Sequence, residues 1–589
     1  MVQVIKRNGD VVDFQRDKIS VAIQKAMKEV RDEINTYEVR AATDKVVGSI
    51  EQRKENISVE EIQDIVERAL MTSGMKDVAK SYITYRYLHG LARDKYQELM
   101  DVVDEKLSAK NVQNQNANVD EKSFGGRVGE TADAVMRKYA LEYCVSSMAK
   151  KNHENNEIYI HDLSSYAVGS HNCLTIPLDD LLANGFNTRQ VDIRPAQSVS
   201  TAFQLVAVLF QLQSLQQFGG VAASHLDWSM VPYVRKSFWK HFKDGMTYIG
   251  GFNANIPEMT DNSGRAIDDP TYTECESWYK YALDMTEKEV YQAVEAMMHN
   301  LNSLQSRSGN QLPFSSINFG TCTLPEGRMV IKAILETSIK GVGKLHRTSI
   351  FPCSIFQLMT GVNRTPQDPN YDLYRLALRS TAQRLYPNYA NCDWTGNAGY
   401  DKNDPRTYFA TMGCRTANGW DINGFGQLKD GRGNICPVTI ILPTLAMETK
   451  KFLMDRYGSW DDLTDEGKMS TFLIQLNSKI YEAKDMLLER FEWICSQPVE
   501  AAQFMYENHT MAGYIPEEGI RSALKHGTLA LGQLGLAEAL QILLGCDHTT
   551  NKGMKAAKQI EQLFKDRCAE FKEAYKLNFG VYYSPECNI

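Results

Sequence analysis

The sequence predicts an α/β protein in which a large domain, built around buried strands, follows a small and mainly helical unit. Beyond residue 126, helical patterns alternate with short apolar runs such as LPFSSINFG (312–320) and PVTIILP (437–443). This alternation is typical of helices packed on buried strands. A chain of 589 residues is also too long for one small core, which indicates an accessory module. Periodicity alone is consistent with both a closed barrel and an open sheet.

The composition excludes several classes of protein. A net charge of -8 and a pI near 5.9 argue against a general nucleic-acid binder, because binding to phosphates needs a basic face. The N-terminus, MVQVIKRNGD, lacks the apolar core of a signal peptide. Apolar stretches such as LVAVLF (205–210) are far shorter than a membrane span. We therefore expect neither a nucleic-acid partner nor insertion into a membrane.

The twelve cysteines are scattered, and none forms a Cys-x-x-Cys pair. This spacing argues against a zinc ribbon and a thioredoxin-type redox pair, and we expect no metal site in this chain. Without a secretory signal, scattered thiols predict a reducing cytoplasm. Most of these cysteines are expected to be small buried side chains.

The first ninety residues predict a hairpin followed by helices. Apolar and polar residues alternate on both sides of Asn8-Gly9, which predicts a two-residue hairpin turn. Asp17 is expected to cap the first helix, and Ser58 with Glu61 forms a capping-box pattern. Further helices are predicted at 36–51, 58–72 and 75–93. The polar stretch that includes NVQNQNANVDEKS predicts a connector over 94–125.

The cations Lys6, Arg7 and Lys18 lie near the predicted turn and helix start. Such an arrangement suits a triphosphate, and a solvated basic edge is an equal alternative. The segment VIKRNGDVVDFQRDKISVAIQKA resembles the ATP-cone, the regulatory nucleotide domain of ribonucleotide reductases, and Val4 and Gly9 complete its signature. The resemblance implies that residues 1–93 bind ATP as activator and dATP as inhibitor around the three cations.

The stretch YFATMGCRTANGW (408–420) holds a lone cysteine, Cys414, beside Gly413. Glycine, Met412 and the following Asn-Gly pair predict a loop tip. The position beside glycine allows the backbone to approach a ligand closely. We therefore ask what chemistry an isolated thiol on a loop can perform.

Several segments, in order along nearly the entire chain, resemble the catalytic subunit of anaerobic (class III) ribonucleoside-triphosphate reductase. They are IYIHDLSSYAVGSHNCLTIPL (158–178), QQFGG (216–220), QLPFSSINFG (311–320), IFP (350–352), MGCR (412–415), DGRGN (430–434) and ILPTLA (441–446). The resemblance implies that residues 126–589 form a ten-stranded α/β barrel. It also implies that Cys414 lies on a loop inside the barrel and forms a thiyl radical.

The resemblance further implies the reaction and the roles of four residues. The Cys414 radical removes the 3′-hydrogen of a ribonucleoside triphosphate, and a proton from Cys173 assists loss of the 2′-hydroxyl as water. Met412 and Asn434 match positions of the formate-using branch, so formate is the expected reductant; loop packing and a turn are their alternatives. His161 either orients groups near Cys173 or is a buried histidine with its own partner.

The family pattern continues beyond the segment NFGVYYSPECNI (578–589), with a four-cysteine zinc site and an Arg-x-x-Gly-Tyr loop whose glycine stores the radical. We therefore expect the glycyl radical to come from a separate polypeptide, or the gene to be interrupted or shortened, and a radical-S-adenosylmethionine activase to be required. The apolar helix at 199–217 matches a family dimer contact, which suggests a homodimer. The alternatives are a truncated, inactive nucleotide-binding protein and a cobalamin-dependent reductase.

Overall fold

The computed structural model describes residues 2–7, 9–53, 55–108, 123–250, 261–305, 311–413 and 416–583. The chain divides into two compact units, Met1–Ser108 and Ala109–Ile589. Each unit has its own apolar core. No helix in the described ranges is long and apolar enough to cross a membrane.

The first unit is a three-stranded sheet packed with four helices. Its elements are β1 (Gln3–Ile5), β2 (Val11–Asp13), α1 (Arg16–Lys28), α2 (Thr36–Glu51), β3 (Ile57–Ser58), α3 (Val59–Thr72) and α4 (Lys76–Ser108). Strand β1 lies in the centre, antiparallel to β2 and parallel to β3. The predicted helix at 36–51 is confirmed as α2.

The predicted hairpin is confirmed, but its loop is longer than two residues. Ile5 lies opposite Val11, so five residues connect the strands. The Gly9 N–H donates to the Lys6 carbonyl over 3.0 Å, and Gly9 has a φ of +86°. Asn8 itself lies outside the described residues. A glycine with positive φ at the end of such a loop is typical of a hairpin that closes with a bulge.

Three helix boundaries test the predicted capping residues. Helix α1 begins at Arg16, so Asp17 lies in the first turn, where its charge favours the helix dipole, and is not the N-cap. Ser58 and Glu61 form the predicted capping box. Helix α4 continues to Ser108 through half of the predicted connector, because residues 94–108 contain no glycine or proline to end it.

The second unit contains seventeen α-helices and eleven strands among its described residues. The helices are α5 (Phe124–Tyr139), α6 (Ser147–Glu154), α7 (Leu163–Tyr166), α8 (Leu178–Asn184), α9 (Val199–Ser214), α10 (Leu226–Ser229), α11 (Val231–Tyr248), α12 (Pro270–Thr273), α13 (Glu276–Ser303), α14 (Pro325–Lys340), α15 (Tyr371–Arg384), α16 (Leu442–Tyr457), α17 (Asp465–Cys495), α18 (Gln503–Glu507), α19 (Arg521–Leu524), α20 (Leu536–Leu544) and α21 (Asn551–Tyr575). The strands are β4 (Ile158–Ile160), β5 (Cys173–Thr175), β6 (Phe186–Asn187), β7 (Asp192–Ile193), β8 (Val221–Ala223), β9 (Ser315–Phe319), β10 (Cys353–Leu358), β11 (Asn388–Asn391), β12 (Gly433–Ile441), β13 (Thr528–Leu534) and β14 (Asn578–Tyr583).

Nine of these strands form one sheet, in the order β11-β10-β9-β8-β5-β12-β13-β14, with β4 also paired to β12. Strands β5 and β8–β11 run parallel to one another, and so do β12–β14. The two parallel groups meet in an antiparallel pair, β5 with β12. The predicted α/β class is confirmed, and the described residues contribute nine strands where the resemblance implied ten.

Helices cover the two strand groups with separate apolar cores. Helices α9, α13 and α14 pack on β8–β10, and helices α16, α17, α20 and α21 pack on β12–β14. The side chains of α9, including Phe203 and Phe210, are mostly buried inside this unit. Core packing therefore accounts for the apolar face of the 199–217 helix, and its role in a dimer stays a prediction.

Candidate active site

The antiparallel junction of β5 and β12 places two predicted site residues side by side. Cys173 is the register partner of Asn434, although a long stretch of chain separates them in sequence. Both side chains are buried. Only pairing between the two parallel groups of strands brings these residues together.

The Cys173 thiol has a defined orientation. Its Sγ donates to Asn172 Oδ1 over 2.6 Å and accepts the Gly220 N–H over 3.1 Å. The Asn172 amide in turn donates to the Asp162 carboxylate. Sequence reasoning missed Asn172 and Asp162. The available signal was that both belong to the same family-like segment as Cys173.

The loop that carries Cys414 is described on both sides of its tip. Met412 and Thr416 form an isolated antiparallel bridge, with N–H to carbonyl distances of 2.8 and 3.1 Å. Cys414 and Arg415 lie outside the described residues. The position of the Cys414 sulfur therefore stays a prediction, while the flanks of the loop tip are known.

Gly413, the residue before Cys414, packs directly against Cys173. It has a φ of +54°, and a Cβ added to it would lie 2.9 Å from Cys173 Sγ. A Cβ added to Gly220 would lie 2.7 Å from the Gly413 Cα. Side chains at these two positions would clash or strain the backbone, so glycine permits the close approach of the loop to Cys173.

Met412 fills the space beside the two glycines. Its side chain is buried with Cys173 and Ala222, and its Sδ lies 3.9 Å from Thr175 Oγ1. The structure therefore brings Met412, Cys173 and Asn434 into one neighbourhood. The contacts of Met412 are those of a packed loop residue, one of the two alternatives for this position.

Two buried amides that sequence reasoning missed hold the approach to this tip. Asn318 on β9 bonds both backbone groups of Thr411, and Gln357 on β10 bonds the Phe409 carbonyl. An asparagine inside the apolar run SSINF was the signal, because a polar side chain in a buried strand needs a hydrogen-bond partner.

Asn434 differs from these amides. It is 2% exposed, and neither its Nδ2 nor its Oδ1 has a hydrogen-bond partner among the described residues. A buried unpaired polar group costs about 1–3 kcal/mol, so such a group suggests a ligand that would satisfy it. Asn434 therefore offers an amide NH2 donor and a carbonyl acceptor beside Cys173.

A charged cluster lies at the end of β8. His225 Nε2 lies 3.1 Å from Asp179 Oδ2, and Ser224 bonds both His225 and Asp430. Burial lowers the pKa of His225, but the Asp430 and Asp179 carboxylates outweigh it and raise the pKa to about 9. Burial raises the pKa of Asp430 to about 6. In the described part of the chain, no group of three or more His, Cys, Asp and Glu side chains could hold a metal ion.

His161 has its own partner. Its Nε2 lies 2.6 Å from Thr439 Oγ1 on β12, and burial lowers its pKa. Arg490 donates to the His161 carbonyl over 2.6 Å. These contacts favour the buried, satisfied histidine over a group that orients Cys173.

In the first unit, the predicted nucleotide residues cluster at the hairpin and the start of α1. Val4 belongs to the apolar core, and Lys6 and Lys18 are exposed. Arg7 bonds Glu60 over 2.6 Å and Gln63 over 3.1 Å. The exposed cations are accessible to an anionic ligand, and Arg7 is paired with a carboxylate.

Comparison with known proteins reveals matches over both units. Residues 115–588 match the family model described as anaerobic ribonucleoside-triphosphate reductase, and residues 2–91 match the ATP cone domain. The anaerobic ribonucleoside-triphosphate reductase of Escherichia coli (strain K12) is 28% identical over 597 residues, covering 100% of this chain and 76% of that protein. The enzyme of the same name from Enterobacteria phage T4 is 27% identical and covers 82% of this chain and 72% of its own length.

Solved structures share the fold. The crystal structure of the anaerobic ribonucleotide reductase from Thermotoga maritima, in complex with dATP and CTP, matches with a TM-score of 0.54 at 15% identity. The match covers 84% of this chain and 75% of that one.

Proposed function

The chain belongs to the anaerobic ribonucleoside-triphosphate reductase family, and on this premise we propose that it converts ribonucleoside triphosphates to 2′-deoxyribonucleoside triphosphates through a thiyl radical on Cys414. The contact between Gly413 and the Cys173 sulfur is the observation that carries the proposal. It puts the residue next to Cys414 against the second predicted thiol, so one sugar could meet both sulfur atoms.

The proposed reaction assigns a different task to each thiol. The Cys414 sulfur radical takes the 3′-hydrogen of the ribose, forming an S–H bond and leaving a radical on C3′. Cys173 gives a proton to the 2′-hydroxyl, which leaves as water. At the end of the cycle, Cys414 returns a hydrogen atom to C3′, and Cys173 regains its proton from solvent. The bond from Cys173 to Asn172 fixes the thiol before the substrate binds, which favours a positioned proton donor.

We propose formate as the reductant. Its oxidation to carbon dioxide supplies the two electrons that replace the C2′–OH bond with a C–H bond. The free donor of Asn434 can bind the formate carboxylate, and Met412 closes the neighbouring space. A glycyl radical on a segment outside these 589 residues, charged by a radical-S-adenosylmethionine activase, would supply the oxidising equivalent that removes the thiol hydrogen of Cys414.

The first unit is proposed as the effector site for ATP and dATP. Lys6, Arg7 and Lys18 would bind the phosphates, with Val4 and Gly9 shaping the hairpin. The match of residues 2–91 to the ATP cone domain supports this assignment. Lys6→Ala and Arg7→Ala should each weaken ATP binding to the full chain in titration calorimetry.

The assembly and location follow from the same proposal. We assign regulation to residues 1–93 and the chemistry to 126–589, and we expect a homodimer through the α9 region. None of the ten cysteines among the described residues forms a disulfide bond, which supports a reducing cytoplasm.

A reconstitution without oxygen tests the proposed activity. The chain is mixed with a polypeptide that carries a glycyl-radical segment, an activase, S-adenosylmethionine and its electron donor, formate and a ribonucleoside triphosphate. Deoxynucleotide should form, and Cys414→Ser or Cys173→Ser should abolish it, while Cys568→Ser on α21 should not. Absence of product, with ATP still bound, would instead favour a nucleotide-binding protein without catalysis.

A further inference from the structure

We propose that Asn318 and Gln357 are positioning residues that hold the Cys414 loop in its reactive place, an inference that rests on the proposed function. Both side chains are fully buried, at 0% exposure, and lie on adjacent strands of the sheet. Each bonds the backbone of the segment that leads into the loop tip. Neither residue is proposed to touch the substrate.

Asn318 binds Thr411 as a neighbouring strand would. Its Oδ1 accepts the Thr411 N–H over 3.0 Å, and its Nδ2 donates to the Thr411 carbonyl over 2.9 Å. The same Nδ2 donates to the Ala223 carbonyl at the end of β8, over 2.9 Å. The amide therefore uses both of its donor hydrogens and cannot rotate without breaking a bond to the loop or to β8.

Gln357 makes similar bonds one strand away through its amide nitrogen, while its Oε1 has no hydrogen-bond partner among the described residues. Its Nε2 donates to the Phe409 carbonyl over 3.0 Å and to the Ser224 carbonyl over 3.2 Å. Ser224 directly follows Ala223, so both amides join the end of β8 to the loop. The segment is fixed at two points, three and five residues before Cys414.

The loop then follows the face of β9 toward Cys173. Thr411 is hydrogen-bonded to Asn318 in β9. A Cβ added to Gly413 would lie 3.5 Å from the ring of Phe314, which is four residues before Asn318 and directly precedes β9. The Gly413 end of this path abuts the Cys173 sulfur. Because misplacement of a reacting group by about 1 Å can cost a hundredfold in rate, fixing Thr411 and Phe409 also fixes the reactivity of Cys414.

Asn363 provides a matched control. It is also fully buried, and its amide donates to the carbonyls of Gly320 and Gln357 and accepts the Met359 N–H. It supports the ends of the same strands with the same kind of bonds. It makes no hydrogen bond to residues 409–413 among the described residues.

The test compares Asn318→Ala, Asn318→Asp, Gln357→Ala and Gln357→Glu with Asn363→Ala, all in the full chain. The first readout is the rate at which iodoacetamide modifies Cys414, measured by peptide mass spectrometry. The melting temperature of each variant is measured as well. The Asn318 and Gln357 variants should react about tenfold faster than the wild type, since the loop opens more often, and Asn363→Ala should change the rate less than about twofold. Asn318→Asp and Gln357→Glu keep the shape of the side chain, so they serve as the test variants if the corresponding alanine variants do not fold.

The second readout is turnover in the reconstituted enzyme. The Asn318 and Gln357 variants should lose kcat by about a hundredfold while KM changes less than about threefold, and Asn363→Ala should retain kcat. Equal alkylation rates and equal kcat in the Asn318, Gln357 and Asn363 variants at matched melting temperature would overturn the proposal. If Cys414→Ser retained turnover, the proposed function would fail, and the alkylation rates would still decide whether these amides hold the loop.

Discussion

Asn318, which holds the Cys414 loop, and Asn434, at the start of β12, are both buried side-chain amides, but their hydrogen bonding is opposite. Asn318 has hydrogen-bond partners for its carbonyl oxygen and for its amide nitrogen. At the start of β12, Asn434 is equally buried and has no partner for either atom within the described residues.

The difference separates groups that build the site from a group kept free within it. A satisfied amide stabilises the fold, whereas an unpaired buried amide destabilises it unless a ligand completes its bonds. Active sites commonly retain such costly groups because function needs them. We therefore expect mutations of Asn318 to affect both stability and turnover, and mutations of Asn434 to affect chemistry alone.

The largest expected effect is the loss of activity in Asn434→Ala. Removing the free amide should lower kcat/KM of the reconstituted enzyme at least about a hundredfold, as for the loss of a positioned donor near reacting atoms. The free energy of unfolding should stay within about 1 kcal/mol of the wild type, because the variant also removes an unsatisfied group. Urea denaturation and steady-state kinetics measure the two quantities. A large loss of stability would show that Asn434 has partners in the folded protein and would break the comparison.

Asn363→Ala should have the reverse effect. The change leaves the carbonyls of Gly320 and Gln357 and the Met359 N–H without their partner, so the free energy of unfolding should fall by about 2–3 kcal/mol. Turnover at a temperature where the variant is folded should remain near the wild-type value. A variant as stable as the wild type would contradict this assignment of satisfied amides to the fold.

The charged cluster at the end of β8 adds a buried group that is satisfied only in one protonation state. The folded pKa of His225 is about 9, above the unfolded value near 6.5, so its stabilisation is complete below pH 6.5 and is lost as pH rises to 9. The free energy of unfolding should fall by about 2–3 kcal/mol across this window. The raised pKa of Asp430 also makes the free energy of unfolding fall as pH rises, over a lower pH range.

His225→Gln serves as the control for this pH dependence. Urea denaturation at pH 6.5 and pH 9 should give a smaller difference for the variant than for the wild type, because other titrating groups are common to both. An identical difference in the two proteins would show that His225 is not held protonated between the carboxylates.

The smallest effect is expected in the first unit, where the polar partners are exposed. Glu60 bridges Arg7 and Arg86 at the surface. Glu60→Gln should change the free energy of unfolding by no more than about 0.5–1 kcal/mol, because solvent screens exposed ion pairs. Affinity for ATP, measured by calorimetry, should rise slightly as Arg7 is released. A fall in affinity would indicate that Glu60 itself contributes to the nucleotide site.

Local patterns in the sequence predicted local structure well. The bounds of α2 and the Ser58–Glu61 capping box follow from apolar spacing and capping chemistry, which operate within a few residues. The apolar run at 312–320 contains β9, and the run at 437–443 contains the end of β12. Helix α4 continues to Ser108 because residues 94–108 contain no glycine or proline. The polar composition near residue 110 led the prediction to end this helix too early.

Long-range partners could not be predicted from the residues alone. Nothing in the local sequence pairs Cys173 with Asn434, or Asn318 with Thr411, because these contacts depend on strand order and on the path of a loop across a sheet. The resemblance to the reductase family predicted four site residues, Cys173, Met412, Cys414 and Asn434. It did not nominate the amides that hold the loop, whose signal was only a polar side chain in an apolar strand.

The antiparallel pairing of β5 with β12 also has a consequence for biosynthesis. The first partner emerges from the ribosome long before the second, so a nascent chain cannot assemble this centre until most of the second unit has been translated. Contacts between such distant segments also slow folding, whereas the N-terminal unit, with its local hairpin and helices, can fold early. In a series of ribosome-bound chains arrested at increasing lengths, ATP affinity should therefore appear at short lengths. Protection of the Cys173 and Cys414 segments from modification should appear only in much longer chains.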